Sequence, residues 1–485
     1  MIGAADSLPL LHALAKEGPA AVTSVAVEAG LQIADSCVRR GDAATALKVY
    51  DGILAGAPAE TERLAAIAGI GEVANPSSVK TLVTYLSPST PPRLHAAAIA
   101  ALRGIPGSDA SQALLDALKS EPAPMQVAII SALGQRRDAA AVPAIAEAAG
   151  NATGDVQLAA IRALGDIGSP QGLPVLRAAM SSQAEAVKSA AVTSAIEVAD
   201  ALAASGQDAA KAEATAVYSE ALDAAVTRDQ RTSALNGLAR LATPQAIAKI
   251  ETIVEGSTGA ARDAALDALL SAAARLASAN PPEARALYAK ILDILPAGPR
   301  SVAVAQRLKA LGADIDLAAV QGFVTNWWIL GPFPNADGSA AFDIAYFPET
   351  EIALDKSYEV DGRALKWKFH HTDDINGVVN LLELIQPSGN MAAYAYAEVT
   401  SPAERDGMVL TGSDDGIVVF VNGKRVQGIN KARGLQVDED SAPIHLVQGV
   451  NKILVKALNG TADFEFCLRL TDPNRNPLRL ASRKP

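Results

Sequence analysis

The chain has 485 residues, of which 20% are charged and 49% hydrophobic, with a net charge of −11 and a pI near 5.1. This composition excludes a disordered chain and offers no basic surface for nucleic acid or an anionic membrane. Its length calls for two or more domains. No apolar run reaches the roughly 18–20 residues that cross a bilayer, and two cysteines, Cys37 and Cys467, cannot make a zinc site alone.

The N-terminus, MIGAADSLPLLHALAKEG, lacks a basic leader region and does not read as a signal peptide as written. Residues 1–320 contain no Phe and no Trp, whereas the remainder holds all eight Phe and all three Trp. Aromatic side chains carry the largest buried areas and build thick cores. A boundary is therefore expected near residue 320, with domains 1–320 and 321–485.

The first region repeats itself. LAAIAGIGEVANP, HAAAIAALRGIPG, VAIISALGQRRD and LAAIRALGDIGSP align on Ile70, Leu102, Leu133 and Leu164, and TSALNGLARLATP aligns on Leu238. The first four recur with the near-constant period that marks a repeat architecture. Val156, Ala160, Ala163, Leu164 and Ile167 fall on one helical face. A Gly168-Ser169-Pro170 breaker follows, then a second face of Leu173, Leu176 and Met180. The same second-helix offsets recur at Val79, Leu82 and Leu86 and at Ile247, Ile250 and Val254. One such hairpin cannot bury its own face, so neighbours stack into a solenoid. Alanine at the inner positions lets helices approach closely. Tyr50, Tyr218 and Tyr288 mark three atypical hairpins, where each ring either fills a gap between helices or lines a groove. His12 and His95 come with no catalytic motif.

These hairpins resemble short bacterial HEAT repeats over about residues 60–260, and the Tyr-bearing ones resemble tetratricopeptide helices. The resemblance implies a right-handed α-solenoid and a surface for protein partners.

From Val324 the periodicity changes to two. Phe464, Phe466, Leu468 and Leu470 alternate with Glu465, Cys467, Arg469 and Thr471. Ile417–Val421 is a continuous run, as in a strand covered on both faces. Asn422-Gly423 then signals a tight hairpin turn, and a second turn is expected around Gln448-Gly449. Further strands are expected at Asn326–Ile329, Leu365–Phe369, Ala393–Val399 and Met408–Thr411, which together predict a jelly-roll-type β-sandwich.

The ordered set NWWILGPF, AYAYAEV, LTGSDDGIVVFVNGKRV, LVQGVNKILVKAL and FEFCLRLTD resembles the galactose-binding-like sandwich of secreted bacterial proteins. Its GSDDG…VNGK block is similar to that of protective-antigen-like lectin domains. The resemblance implies an extracytoplasmic address and candidate ligand-binding residues Asp414, Asp415, Asn422 and Lys424. Trp327 and Trp328 are adjacent, so on a strand they point to opposite faces; one is expected in the core, and the other, Trp328, either stacks on a sugar ring or packs against the solenoid. It also implies a Ca²⁺ site at Asp414 and Asp415, to which Asp438, Glu439 and Asp440 could contribute. In the alternative, the Asp pair caps a tight turn, and Asn422, Gly423 and Lys424 serve only the hairpin.

No paired-carboxylate, nucleophile or phosphate-loop motif is present. The functional expectation is a non-catalytic binding or scaffold protein, with protein contacts through the solenoid and glycan or assembly contacts through the sandwich. The alternatives are an accessory subunit of a glycan-processing enzyme and a purely structural subunit of an extracellular assembly.

Overall fold

The computed structural model describes residues 19–485 except 57, 58 and 297, together with Leu10, Ala13 and Leu14. His12 lies outside the described residues. The chain divides into two compact units, residues 1–272 and 273–485.

The first unit is helical. It runs through α1 (Ala20–Arg39), α2 (Ala43–Ala55), α3 (Glu60–Val73), α4 (Val79–Val83), α5 (Pro92–Gly104), α6 (Ser108–Leu118), α7 (Ala123–Arg136) and α8 (Val142–Asn151). It continues with α9 (Gly154–Ile167), α10 (Leu173–Met180), α11 (Glu185–Ala204), α12 (Asp208–Ala224), α13 (Arg228–Leu241), α14 (Pro244–Gly256) and α15 (Gly259–Ala279), within which the division falls. Helices α3, α5, α7, α9, α11 and α13 form a ladder, each packed on the next.

The turn after the first helix of a hairpin has one recurrent solution. Ala74, Arg137, Gly168 and Ala242 adopt the left-handed conformation, with φ of 52°, 54°, 70° and 48°. A left-handed residue at this position terminates the helix. The next residue then caps the following turn. Asn75 accepts from the Ser77 amide, Asp138 from Ala140, Ser169 from Gln171 and Thr243 from Ala246.

Small residues set the ladder's spacing. A Cβ on Gly134 would lie 2.8 Å from Ala163 Cβ, so α7 and α9 touch almost backbone to backbone. No Phe or Trp fits such a contact. Two of the tyrosines occupy matched cups. A Cβ on Gly69 or Gly237 would overlap the ring of Tyr50 or Tyr218, supplied in each case by the preceding helix. Both rings are fully buried, and their hydroxyls donate to Asp35 and Asp200. Tyr288 is buried too, at 1% exposure. These three rings fill interhelical gaps and line no groove.

The second unit holds a short helical part, α16 (Pro281–Ile294), α17 (Pro299–Ala310) and α18 (Leu317–Val320), and then the sheets. The strands are β1 (Asn326–Pro334), β2 (Ser357–Val360), β3 (Arg363–Lys366), β4 (Lys368–His371), β5 (Val379–Asn380), β6 (Met391–Ser401) and β7 (Arg405–Asp414). They continue as β8 (Gly416–Val421), β9 (Lys424–Ile429), β10 (Asp440–Leu446), β11 (Gly449–Asn459), β12 (Glu465–Thr471) and β13 (Ala481–Ser482), with α19 (Leu381–Leu384) after β5. The expected strand Leu365–Phe369 is broken at Trp367 into β3 and β4.

The larger antiparallel sheet has the order β4-β1-β6-β11-β8-β9, with β13 also paired to β6, and the smaller has the order β10-β7-β12-β5. Between them lies a core of alternate residues. Trp327, Ile329, Ala393, Ala395, Val419 and Val455 come from one sheet, and Val409, Phe466 and Leu468 from the other. Cys467 faces away from this core and is buried on its other side, which pushes its thiol up to about 12.

The opposite face of the larger sheet is also buried. Trp328, Leu330, Tyr394, Tyr396, Val418 and Leu454 lie under the segment between β1 and β4, which contributes Tyr358, Leu365 and Trp367. The continuous apolar run in β8 follows from this two-sided burial.

The segment after β12 returns to the helical part of the same unit. Leu478 enters the sandwich core. Arg479 donates to the carbonyls of Leu292 and Leu295 at 2.7 and 2.6 Å. It thereby closes the C-terminal end of α16, where carbonyls lack intrahelical partners and a cation is favoured.

Candidate functional site

The five candidate residues occupy three separate places on the sandwich. Trp328 is not available to a ligand. It is 7% exposed, stands edge-on to Phe369 at 5.4 Å, and carries the Arg483 guanidinium 5.7 Å above its ring. Trp327 faces the other way, into the core, where its indole donates to the Val324 carbonyl. Adjacent residues on a strand diverge, and here each face has its own cover.

Asp414 ends β7, and Asp415 links it to β8. The Asp415 carboxylate is committed to the backbone, with one oxygen accepting from the Arg433 amide at 2.9 Å and the other from the Gly460 amide at 2.8 Å. The neighbouring acids that would have completed a Ca²⁺ shell are held by arginines. Arg433 pairs with Glu439 and Asp440 and donates to Ser413 Oγ, while Arg469 pairs with Asp438.

Asp414 keeps an open carboxyl. Burial pushes it up to about 6, aided by the charges of Asp415, Asp463 and Glu465. Ca²⁺ needs six to eight oxygens. Among the described residues no group of three or more His, Cys, Asp or Glu side chains is arranged around one point. Asp415 thus acts as a turn cap.

Asn422 is likewise structural. With φ of 51° at Asn422 and 79° at Gly423 it makes the tight turn, as a hairpin of this type requires. Its side-chain amide donates to Asn451 Oδ1 at 2.8 Å, and its side-chain oxygen accepts from the Lys452 amide at 2.9 Å. Asn451 is fully buried and closes its own turn through Val447 and Gly449. Two hairpin turns distant in sequence are thus tied by one asparagine pair. Lys424 pairs with Val421 across the first turn, and its side chain is exposed.

Other polar side chains that organise the sandwich carry no local motif. Lys456 is 1% exposed on β11. It reaches Glu349 Oε1 at 2.7 Å and the Ile344 carbonyl at 3.0 Å, and Tyr394 donates to the same Glu349 oxygen. This triad fastens the covering segment to the sheet. A buried lysine among apolar residues was its only signal in the sequence, and such a residue requires a partner.

In the helical unit, Arg136 does comparable work. Its guanidinium donates to the carbonyls of Leu102, Ile105 and Gly107 and to Ser111 Oγ. A cation so placed closes α5 and joins it to α6. A groove of about 620 Å³ runs between α7 and α9, bordered by Pro124, Val127, Ser131, Leu158, Arg162 and Asp166. Among the described residues no helix is long and apolar enough to cross a membrane.

No curated protein matches this chain. Among solved structures, human deoxyhypusine hydroxylase in complex with glycerol is 19% identical over 48% of this chain and 94% of its own, with a TM-score of 0.25. The CpcE–CpcF phycocyanin lyase complex of Nostoc sp. PCC7120 is 17% identical over 55% of this chain and 94% of its own, with a TM-score of 0.28. A structure of Kap95p bound to RanGDP is 14% identical over 65% of this chain and 47% of its own, with a TM-score of 0.36. Residues 52–128 and 111–197 match the family of HEAT repeats, so this part of the helical array is built from HEAT repeats.

Proposed function

We propose that this protein is a non-catalytic scaffold. Its helical array holds a protein partner, and its sandwich makes a second contact with a glycan or a larger assembly in an extracytoplasmic compartment. The HEAT repeats carry this reading, because stacked hairpins present a long continuous surface that a single globular domain cannot offer. The groove between α7 and α9 supplies a place where that surface is indented, with apolar walls and charged ends.

The test is a comparison of the proteins retained by the full chain and by Val127→Asp and Leu158→Asp variants, at matched thermal stability. Loss of one stoichiometric partner in both variants supports the reading, and identical retention refutes it for this groove. Release of a product from incubated polysaccharides would replace the scaffold reading with the glycan-processing one. Concentration-dependent self-association by light scattering, with no other partner, would favour a structural subunit.

A further inference from the structure

The residues expected to meet a ligand are largely spent on folding. The outer face of the larger sheet nevertheless has an opening. A recess of about 180 Å³ lies where Pro348–Ile352 of the covering segment meets the β8–β9 turn and β11. Its apolar wall is Phe420, Leu454 and Ile352, and its polar rim is Glu349, Thr350 and Lys452. Phe420 is half-buried, unlike the aromatic residues sealed beneath the cover.

We propose that this recess binds a single uncharged polyhydroxylated ring, one residue of a neutral glycan. The proposal rests on the glycan reading of the sandwich given above and assigns that reading a location.

Size is the first argument. Sites for drug-sized ligands run from about 300 to 1,000 Å³, so this recess suits one ring. Charge is the second. Glu349 is already neutralised by Lys456 at 2.7 Å, and Glu351 at the rim faces Lys356 at 3.2 Å. These carboxylates therefore present hydrogen-bond acceptors more than net charge, which disfavours a strongly ionic ligand. Lys452 adds donors from the opposite side, its own charge facing Glu398 directly across on β6.

Surface chemistry is the third argument. A sugar ring has an apolar C–H face that can lie on an aromatic ring. Its hydroxyls must keep their hydrogen bonds when buried, and the recess pairs one such wall with one such rim. The fourth argument is preorganisation. The Lys456–Glu349–Tyr394 triad fixes the cover, and the Asn422–Asn451 tie fixes the turn beside Phe420. Both walls are therefore set before a ligand arrives, which lowers the cost of binding.

The experiment is saturation-transfer-difference NMR on the full chain with methyl glycosides of glucose, galactose, mannose and N-acetylglucosamine. It is repeated with Phe420→Leu, Lys452→Gln and Glu351→Gln. The expected result is a ring-proton signal for at least one glycoside, weakened about tenfold in affinity by loss of the Phe420 ring and reduced by Lys452→Gln. Lys452 and Glu351 are exposed, so their variants remain decisive if Phe420→Leu folds poorly. Signal unchanged in all three variants would overturn this location and leave the glycan reading standing. No signal from any glycoside would overturn both.

Discussion

Replacing Arg479 by alanine should uncouple α16 from the sandwich that follows it. Arg479 donates to the Leu292 and Leu295 carbonyls, which lie at the end of α16, where carbonyls have no intrahelical partner. Charge-assisted hydrogen bonds contribute about 1.5–3 kcal/mol each when their partners stay dry. The site is only half-buried, so water replaces part of the loss, and the expected destabilisation is about 3 kcal/mol. For a unit of this size each kcal/mol moves Tm by about 2–4 °C, which gives a decrease of about 6–12 °C. All three Trp lie in residues 273–485, so tryptophan fluorescence in a urea titration reads this unit alone. The midpoint should fall and the slope should hold. Arg479→Lys, whose ammonium lacks the planar fork, should recover about half of the loss. A midpoint unchanged in Arg479→Ala would show that the two carbonyls are satisfied by water, and the argument would fail.

Three further outcomes are expected. Gly237→Ala places a methyl group against the Tyr218 ring and should cost about 2–3 kcal/mol of stability by far-UV circular dichroism melting. Adding Tyr218→Leu should restore most of it, and an additive double variant would count against the cup. Trp328→Ala should destabilise the sandwich by about 3–5 kcal/mol; a fully stable variant that had lost only glycan binding would contradict the burial described here. The last concerns pH. Asp414 titrates at about 6 in the folded chain, above the usual carboxylate. Between about pH 4 and pH 6 the folded state therefore binds more protons than the unfolded one. Stability from this group is present at low pH and lost as pH rises through about 6. Asp414→Asn should then stabilise the chain at pH 7.5 by about 1 kcal/mol after allowance for solvent screening, and have little effect at pH 4.5. Equal effects at the two pH values would refute the assignment, and a rise in Tm on adding CaCl₂ to the parent would reopen the cation site.

The repeats were legible because their grammar is local. A left-handed terminator, a capping side chain and a proline or alanine recur within a few residues, as at Ala74-Asn75-Pro76 and Gly168-Ser169-Pro170. The hairpin at Asn422-Gly423 was legible for the same reason. The candidate site was not, because its residues are decided by distant partners. Nothing near Asp415 says that Gly460 and Arg433 will take both of its oxygens, and nothing near Asn422 says that Asn451 will be opposite. The two adjacent Trp showed that their side chains diverge. Distant cover, from the excursion between β1 and β4 together with Phe369 and Arg483, decides that the second one is buried. Tyr218 marked an atypical hairpin, but its glycine cup lies on the next helix, beyond the reach of the local pattern.

That excursion has a consequence for how the sandwich could change. β1 and β4 are direct antiparallel neighbours, with Trp328 opposite Phe369, so a tight turn would satisfy their ladder. The chain instead places a plug between them, and the sheet beneath has become greasy enough to depend on it. Plug and face are now mutually obligate. Shortening the excursion would turn a hidden wall of rings into an adhesive surface, while the hydrogen-bonded framework stayed intact. Variation in this region should therefore be tolerated in the plug's outer loops, and loss of the plug should show up as clumping before it shows up as unfolding.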